Sequence, residues 1–499
     1  MRVTMRHKTR YIAALLALLL FAAFPARTAC AETGAVHSLL ENLPFIVDGG
    51  EARTVKTLNY TYGNNRYVSL RDVAAALSGT AKRFSLAFRD GSVIIGAGEA
   101  YTPVGGEGKG FPAQTAAGAP YLFSTSGLQV NPIQYDGRTL RYPNFLATDP
   151  SGVADCYLSV TDLALFMDLD LQVSGEGMVL NSEGHLTIDL DTLRREGFYC
   201  EVHSALVGDA DTGEIYASWE PDLPVPIAST TKLMTYLCLM DAVSAGEMTL
   251  DDTVTIPPEA AALSRSEDGT IPMTGGQLTN VQELLRGMLL PSSNECALAL
   301  AIHLDGSEAA FVERMNRKAR EIGLSNTAMF FNCHGLPTFT DDLAAIKVQN
   351  RMTARDMFLL ASHLLHSYPE LTDLTSLKNA RLETLNASVD NTNPLLYNVP
   401  GVVGLKTGTT NMSGLCLVTA MRAEDAQGQP HMLLALEFGA EDGSVRVTFS
   451  EQLLRYGLQR LRGDTAAETE SSVDKTPAAL PDNAEDLMQL VLAGLRESE

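Results

Sequence analysis

The stretch that most constrains this chain is Pro226-Ile227-Ala228-Ser229-Thr230-Thr231-Lys232-Leu233-Met234-Thr235, where a hydroxyl and an amine stand three residues apart. If a helix opens at Ser229 and runs on through the apolar Leu233, Met234, Leu237 and Leu239, Ser229 and Lys232 share one face and their side chains meet. A serine hydroxyl is a poor nucleophile until a neighbour takes its proton. A lysine does so only when burial or a second cation lowers its pKa. The spacing therefore predicts another lysine close by, although a bare Ser-x-x-Lys is weak, since most such serines merely cap helices.

Two later stretches add weight. Leu289-Leu290-Pro291-Ser292-Ser293-Asn294-Glu295-Cys296-Ala297-Leu298 places Ser292 63 residues beyond Ser229, and Lys406-Thr407-Gly408-Thr409 begins 112 residues beyond Asn294. In that order the three motifs resemble those of the penicillin-recognising serine enzymes. The flanks sharpen the likeness to the low-molecular-mass D-alanyl-D-alanine carboxypeptidases: Asp211-Thr212-Gly213-Glu214, Asn332-Cys333-His334-Gly335-Leu336, Thr353-Ala354-Arg355-Asp356-Met357 and Asn391-Thr392-Asn393-Pro394-Leu395-Leu396. The resemblance runs from about Phe198 to Arg462.

It implies an α+β fold of the β-lactamase/transpeptidase type, a largely antiparallel sheet with helices on both faces and an inserted helical subdomain. By the same resemblance Ser229 is the nucleophile, Lys232 its base, held neutral by burial and by Lys406, Ser292 a proton relay, and Asn294 the group that holds Lys232 and the substrate backbone. Lys406, Thr407, Gly408, Thr409 and Arg446 bind the substrate, and the backbone N–H groups of Ser229 and Thr409 form the oxyanion hole. Peptidoglycan stem peptides are the implied partners and β-lactams the implied inhibitors, with no cofactor and no metal. His334 reads as a structural hydrogen-bonding residue, and Arg355 with Asp356 as an ion pair at a helix start. A serine β-lactamase would need a deacylating glutamate between the second and third motifs, and no Glu occurs between Glu321 and Glu370. A non-catalytic wall-binding protein would not need every motif residue intact.

Two or three domains suit 499 residues. Residues 1–31 read as an export signal: Arg2, Arg6, Lys8 and Arg10 precede an apolar run from Tyr11 to Phe24, too short to span a membrane, and Ala29-Cys30-Ala31 offers small residues for cleavage. The net charge of −23 becomes −28 without the five cations of that segment, which excludes nucleic acid as a partner. Cys156, Cys200, Cys238, Cys296, Cys333 and Cys416 would remain, with no metal-ligand spacing; unpaired buried thiols are expected.

An internal repeat organises residues 35–190. Tyr67-Val68-Ser69-Leu70-Arg71-Asp72-Val73-Ala74-Ala75-Ala76-Leu77 matches Tyr157-Leu158-Ser159-Val160-Thr161-Asp162-Leu163-Ala164-Leu165-Phe166-Met167. An Asp-Gly turn precedes each copy (Asp48-Gly49, Asp136-Gly137) and a strand-like run follows it, so each copy predicts a hairpin, a Ser-capped helix and a closing hairpin, with a core of its own. The pattern resembles the small α+β module named for the N-terminal domain of copper amine oxidases, here a spacer or wall-polymer binder without a copper-ligand cluster. The catalytic domain is expected over 191–462, with Thr279-Asn280-Val281-Gln282 as a capping box for the helix that delivers Ser292 and Asn294. Residues 463–499 are acidic and read as a disordered tail, with a short amphipathic stripe at Leu487, Leu490, Val491 and Leu495 suited to peripheral membrane or protein docking.

Overall fold

The computed structural model describes residues 38–60, 66–111, 124–125, 129–148, 153–174, 177–193, 202–339, 347–441 and 443–463. Residues 1–31, expected to be an export signal, Cys200 and residues 464–499 of the acidic tail lie outside them.

The first repeat comprises β1 (Ser38–Val47), β2 (Arg53–Tyr60), β3 (Arg66–Ser69), α1 (Leu70–Leu77) and the hairpin β4 (Phe84–Arg89) and β5 (Ser92–Ala97). After β6 (Ser124–Thr125) the second comprises β7 (Ile133–Tyr135), β8 (Arg138–Leu140), β9 (Asn144–Thr148), β10 (Ala154–Ser159), α2 (Val160–Met167), β11 (Asp170–Ser174) and β12 (Gly177–Asn181). Both Asp-Gly turns adopt positive φ at both residues (51° and 68°, 48° and 71°), the conformation that two-residue hairpin turns require. Ser69 and Ser159 cap α1 and α2, accepting the N–H of Asp72 and Asp162.

The two copies are intertwined. β3 and β10 pair antiparallel about Val68 and Leu158, with Tyr67 opposite Ser159 and Ser69 opposite Tyr157, which places equivalent residues about a local two-fold. The closing hairpins cross over: β12 runs parallel to β1 (Phe45 opposite Met178), and β5 runs parallel to β7 (Val93 opposite Ile133). Each copy thus completes the other's sheet, giving an eight-stranded sheet β11-β12-β1-β2-β3-β10-β9-β6 and a four-stranded sheet β4-β5-β7-β8.

The second region is built on β13 (Ser204–Asp209), β14 (Ile215–Trp219), β15 (Val402–Thr410), β16 (Gly414–Glu424) and β17 (Pro430–Ala440), ordered β14-β13-β17-β16-β15 and wholly antiparallel. Side chains alternate between its faces. Val418, Ala420, Leu434 and Leu436 pack with α3 (Lys232–Ser244) and the helix Ala354–Ser367. Leu417, Leu433 and Ala435 pack with Val445, Phe449 and Leu453 of α6 (Gly443–Arg462). Between β14 and β15 the chain builds the helical subdomain, including α4 (Val281–Leu289) and α5 (Asn294–Asp305). This is the α+β architecture that the motifs imply, with β15 at the sheet edge.

Three local expectations need correction. The cap of α4 is Asn280, whose side chain accepts the Glu283 N–H at 2.8 Å, and α4 stops at Leu289, so Ser292 lies in the turn between two helices. Arg355 pairs with Asp222 at 2.7 Å, while Asp356 completes a capping box with Thr353; the two make no pair with each other. Nor is the repeat core self-sufficient. One buried cluster joins Phe45, Val68, Leu158 and Leu163 to Leu417, Val445, Phe449 and Leu453. Along α6, Thr448, Glu451, Arg455 and Gln459 form one polar stripe that bonds Asp162, Tyr142, Asp168 and the Ile188 N–H. Cys156, Cys238, Cys296, Cys333 and Cys416 are free and buried, as expected. Among the described residues, no helix is long and apolar enough to cross a membrane.

Candidate active site

Ser229 lies in a single 3-10 turn, Ala228–Thr231, and the α-helix proper starts at Lys232. The turn is clamped from two sides. A Cβ on Gly335 would fall 2.0 Å from the Ala228 carbonyl oxygen, and one on Gly408 would lie 3.1 Å from the Ser229 amide nitrogen. Only glycine permits the first of these approaches and the second is tight; between them Ala228 sits at φ 44°, in the left-handed region. Ser229 and Ser292 are half-buried; Lys232, Asn294 and Lys406 are buried beneath them. The nucleophile is thus open to solvent while its basic partners are not.

Lys232 Nζ lies 2.8 Å from Ser229 Oγ, 2.7 Å from Asn294 Oδ1, 2.8 Å from the His334 carbonyl oxygen and 3.5 Å from Ser292 Oγ. Asn294 Nδ2 donates to the Asp268 carbonyl, which fixes Oδ1 toward the lysine. The geometry decides how a neutral amine is oriented. Its two hydrogens go to the Asn294 and His334 oxygens, which can only accept, so its lone pair is left for the Ser229 hydroxyl. Burial pulls Lys232 down to about 7, with the Glu295 carboxylate acting in the opposite direction.

Burial also carries Lys406 well below the usual lysine range, helped by the cations of Lys232 and Arg446. Of the two causes expected to keep Lys232 neutral, burial and Lys406, burial is the dominant one. Lys406 Nζ donates to the Thr407 carbonyl at 3.0 Å, and Thr407 Oγ1 lies 2.5 Å from Thr392 Oγ1. Thr409 is exposed and its hydroxyl accepts from Arg446 Nη1 at 3.3 Å, which brings Arg446 to the mouth of the cleft. His334 is depressed to about 3 by burial and by Lys232, and its Nδ1 accepts the Leu336 N–H, so the ring is neutral and held in place. That is the structural part the sequence suggested.

All nine predicted residues therefore gather at one cleft, bounded by the nucleophile turn, the α4–α5 turn and β15. Sequence reasoning missed the His334 carbonyl, a main-chain group with no residue-type signal. It also missed Gln349, whose side-chain amide spans the Gly335 carbonyl and Thr410 Oγ1 and ties two cleft walls together. A cation-sized group, Asp209, Asp211 and His431, sits at the opposite end of the sheet, where the Asp209 oxygens already accept from Asp211 N–H, Thr212 and His431.

Residues 195–429 match the family model of D-alanyl-D-alanine carboxypeptidases. The chain is 32% identical over 266 residues to the D-alanyl-D-alanine carboxypeptidase DacF of Bacillus subtilis, covering 52% of this chain and 63% of the relative. It is 35% identical over 222 residues to a D-alanyl-D-alanine endopeptidase of Pseudomonas aeruginosa, covering 43% and 65%. The chain thus spans under two thirds of each relative's length. Among solved structures it is similar to penicillin binding protein 6B from Escherichia coli, with 27% identity, a TM-score of 0.46, and 52% of this chain and 78% of that one covered.

Proposed function

We propose that this chain is a serine-type D-alanyl-D-alanine carboxypeptidase that removes the terminal D-alanine from peptidoglycan stem pentapeptides. The observation that carries the reading is the buried Lys232 amine, 2.8 Å from Ser229 Oγ, with its hydrogens committed elsewhere. Ser229 Oγ bonds to the carbonyl carbon of the penultimate D-alanine as its proton passes to Lys232. The C–N bond then breaks, the proton reaches the departing amine through Ser292, and an ester to Ser229 remains. Water attacks that ester as Lys232 takes its proton, the bond between the acyl carbon and Ser229 Oγ breaks, and Lys232 returns the proton to Oγ, restoring the serine hydroxyl.

Close packing of Gly408 on the Ser229 amide supports an oxyanion hole made by the Ser229 and Thr409 N–H groups. Asn294 holds Lys232 and the substrate backbone, while Lys406, Thr407, Thr409 and Arg446 receive the substrate's free carboxylate. A β-lactam acylates the same serine. Residues 1–31 export the chain, so that it acts at the extracytoplasmic face of the bacterial cell envelope or as a secreted protein. Residues 35–190 act as a wall-facing binder or spacer packed against α6 of a catalytic part at 191–462, and the 463–499 tail serves peripheral association. Mass spectrometry of a stem pentapeptide incubated with the protein tests the reaction. Loss of one D-alanine is expected, and cleavage at another bond, or none, would refute it.

A further inference from the structure

Glu437 is fully buried in β17, the middle strand of the catalytic sheet, where its opposite neighbours are Ala205 on β13 and Leu417 on β16. Directly opposed residues of an antiparallel sheet point to the same face. Leu417 packs with Val445, Phe449 and Leu453, so Glu437 faces α6 from an otherwise apolar row. There its Oε2 accepts the Ser450 hydroxyl at 2.7 Å. Ser450 lies four residues after Arg446, and residues at that spacing share a helix face. Arg446 in turn donates to Thr409 at the cleft. A guanidinium keeps its charge whatever its surroundings, so sinking one into the protein calls for a fixed counter-charge nearby. The Glu437 carboxylate acts in that sense on Arg446, against the burial that would lower it.

We propose that Glu437 is a positioning residue for Arg446, anchoring the first turns of α6 to the sheet and holding the guanidinium at Thr409, and so sets the preference for substrates with a free C-terminal carboxylate. The proposal rests on the reading of Arg446 as a contact for that carboxylate. Glu437 itself touches no substrate.

The test compares kcat/KM of the full chain for an acylated L-Lys-D-Ala-D-Ala peptide and for its C-terminal amide. Glu437→Gln keeps the shape and the Ser450 bond but removes the charge. It should lower the acid-to-amide ratio by at least about tenfold, chiefly by raising KM for the acid. In an Arg446→Ala background the same change should move the ratio by less than about twofold, because the two act as one unit. If Arg446→Ala lowers the ratio and Glu437→Gln leaves it unchanged or raises it, the proposal is overturned while the role of Arg446 stands. If Arg446→Ala has no effect, both fall. Should Glu437→Gln fail to fold, Ser450→Ala carries the same test, with a smaller drop expected and an unchanged ratio refuting it.

Discussion

The cleft and the repeats both bury charge, and they do so in opposite ways. In the repeats the buried groups are carboxylates met by donors: Asp155 accepts from the Ser69 hydroxyl and the Cys156 N–H, and Asp72 from the N–H groups of Lys56 and Gly108 and the ammonium of Lys56. In the cleft the buried groups are lysines that meet hydroxyl, amide and carbonyl oxygens. Burial lifts the Asp155 carboxyl to about 6 against the pull of its donors, so it still carries its charge at pH 7 and organises backbone. A lysine sunk out of water with no carboxylate bonded to it is drawn down by burial, to about 7 for Lys232, and becomes a base. The difference is one between charge kept for structure and charge given up for reactivity.

Substitutions can break that contrast, and the largest effects fall in the cleft. Ser229→Ala or Lys232→Ala should each lower turnover by about ten-thousand-fold, and the double variant by little more, because one proton transfer links them. Additive losses in steady-state kinetics would mean separate roles. Lys232→Met should abolish turnover while leaving the thermal midpoint unchanged or raised, since it removes a buried ionisable amine; a clear fall in the midpoint would show the lysine to be structural after all.

On the repeat side the pattern should invert. The Tyr142 hydroxyl donates to buried Glu451 at 2.6 Å across the contact between the second repeat and α6. Tyr142→Phe should cost about 1–2 kcal/mol of stability with turnover unchanged, measured by denaturant unfolding beside a peptide assay. Burial lifts Glu451 from 4.5 to about 7. Between those pH values the folded chain holds a proton that the unfolded chain has released. Stability should therefore fall as pH rises through that window, by on the order of 3 kcal/mol, and Glu451→Gln should flatten the slope. A slope unchanged by that substitution would remove Glu451 as its source.

Much of the cleft was legible because its chemistry resides in side chains of fixed type at ordered positions: Ser229 and Lys232, Ser292 and Asn294, Lys406 to Thr409. The repeats were legible for the same reason, in the matched Ser69 and Ser159 caps and the paired Asp-Gly turns. What escaped depends on register between distant segments. The crossing of β12 onto β1 and of β5 onto β7 involves parallel pairing, which leaves no turn signature. Glu437 looks like an isolated acid within an apolar strand until α6 is laid over it, and Thr448, Glu451, Arg455 and Gln459 look like an ordinary solvated stripe until α2 and β8 are placed beside them. Asp222, far from Arg355 in sequence, took the ion pair that a local reading gave to Asp356.

The most direct test of the contrast is the pH dependence of Ser229 acylation by a fluorescent penicillin under pseudo-first-order conditions, with the adduct mapped to the Ile227–Lys232 peptide. If the buried Lys232 amine is the base, the second-order rate should rise with pH and reach half its plateau near 7, where burial places that group. A rate that is flat from about pH 5 to 9, or one that rises only toward the ordinary lysine value near 10, would contradict it.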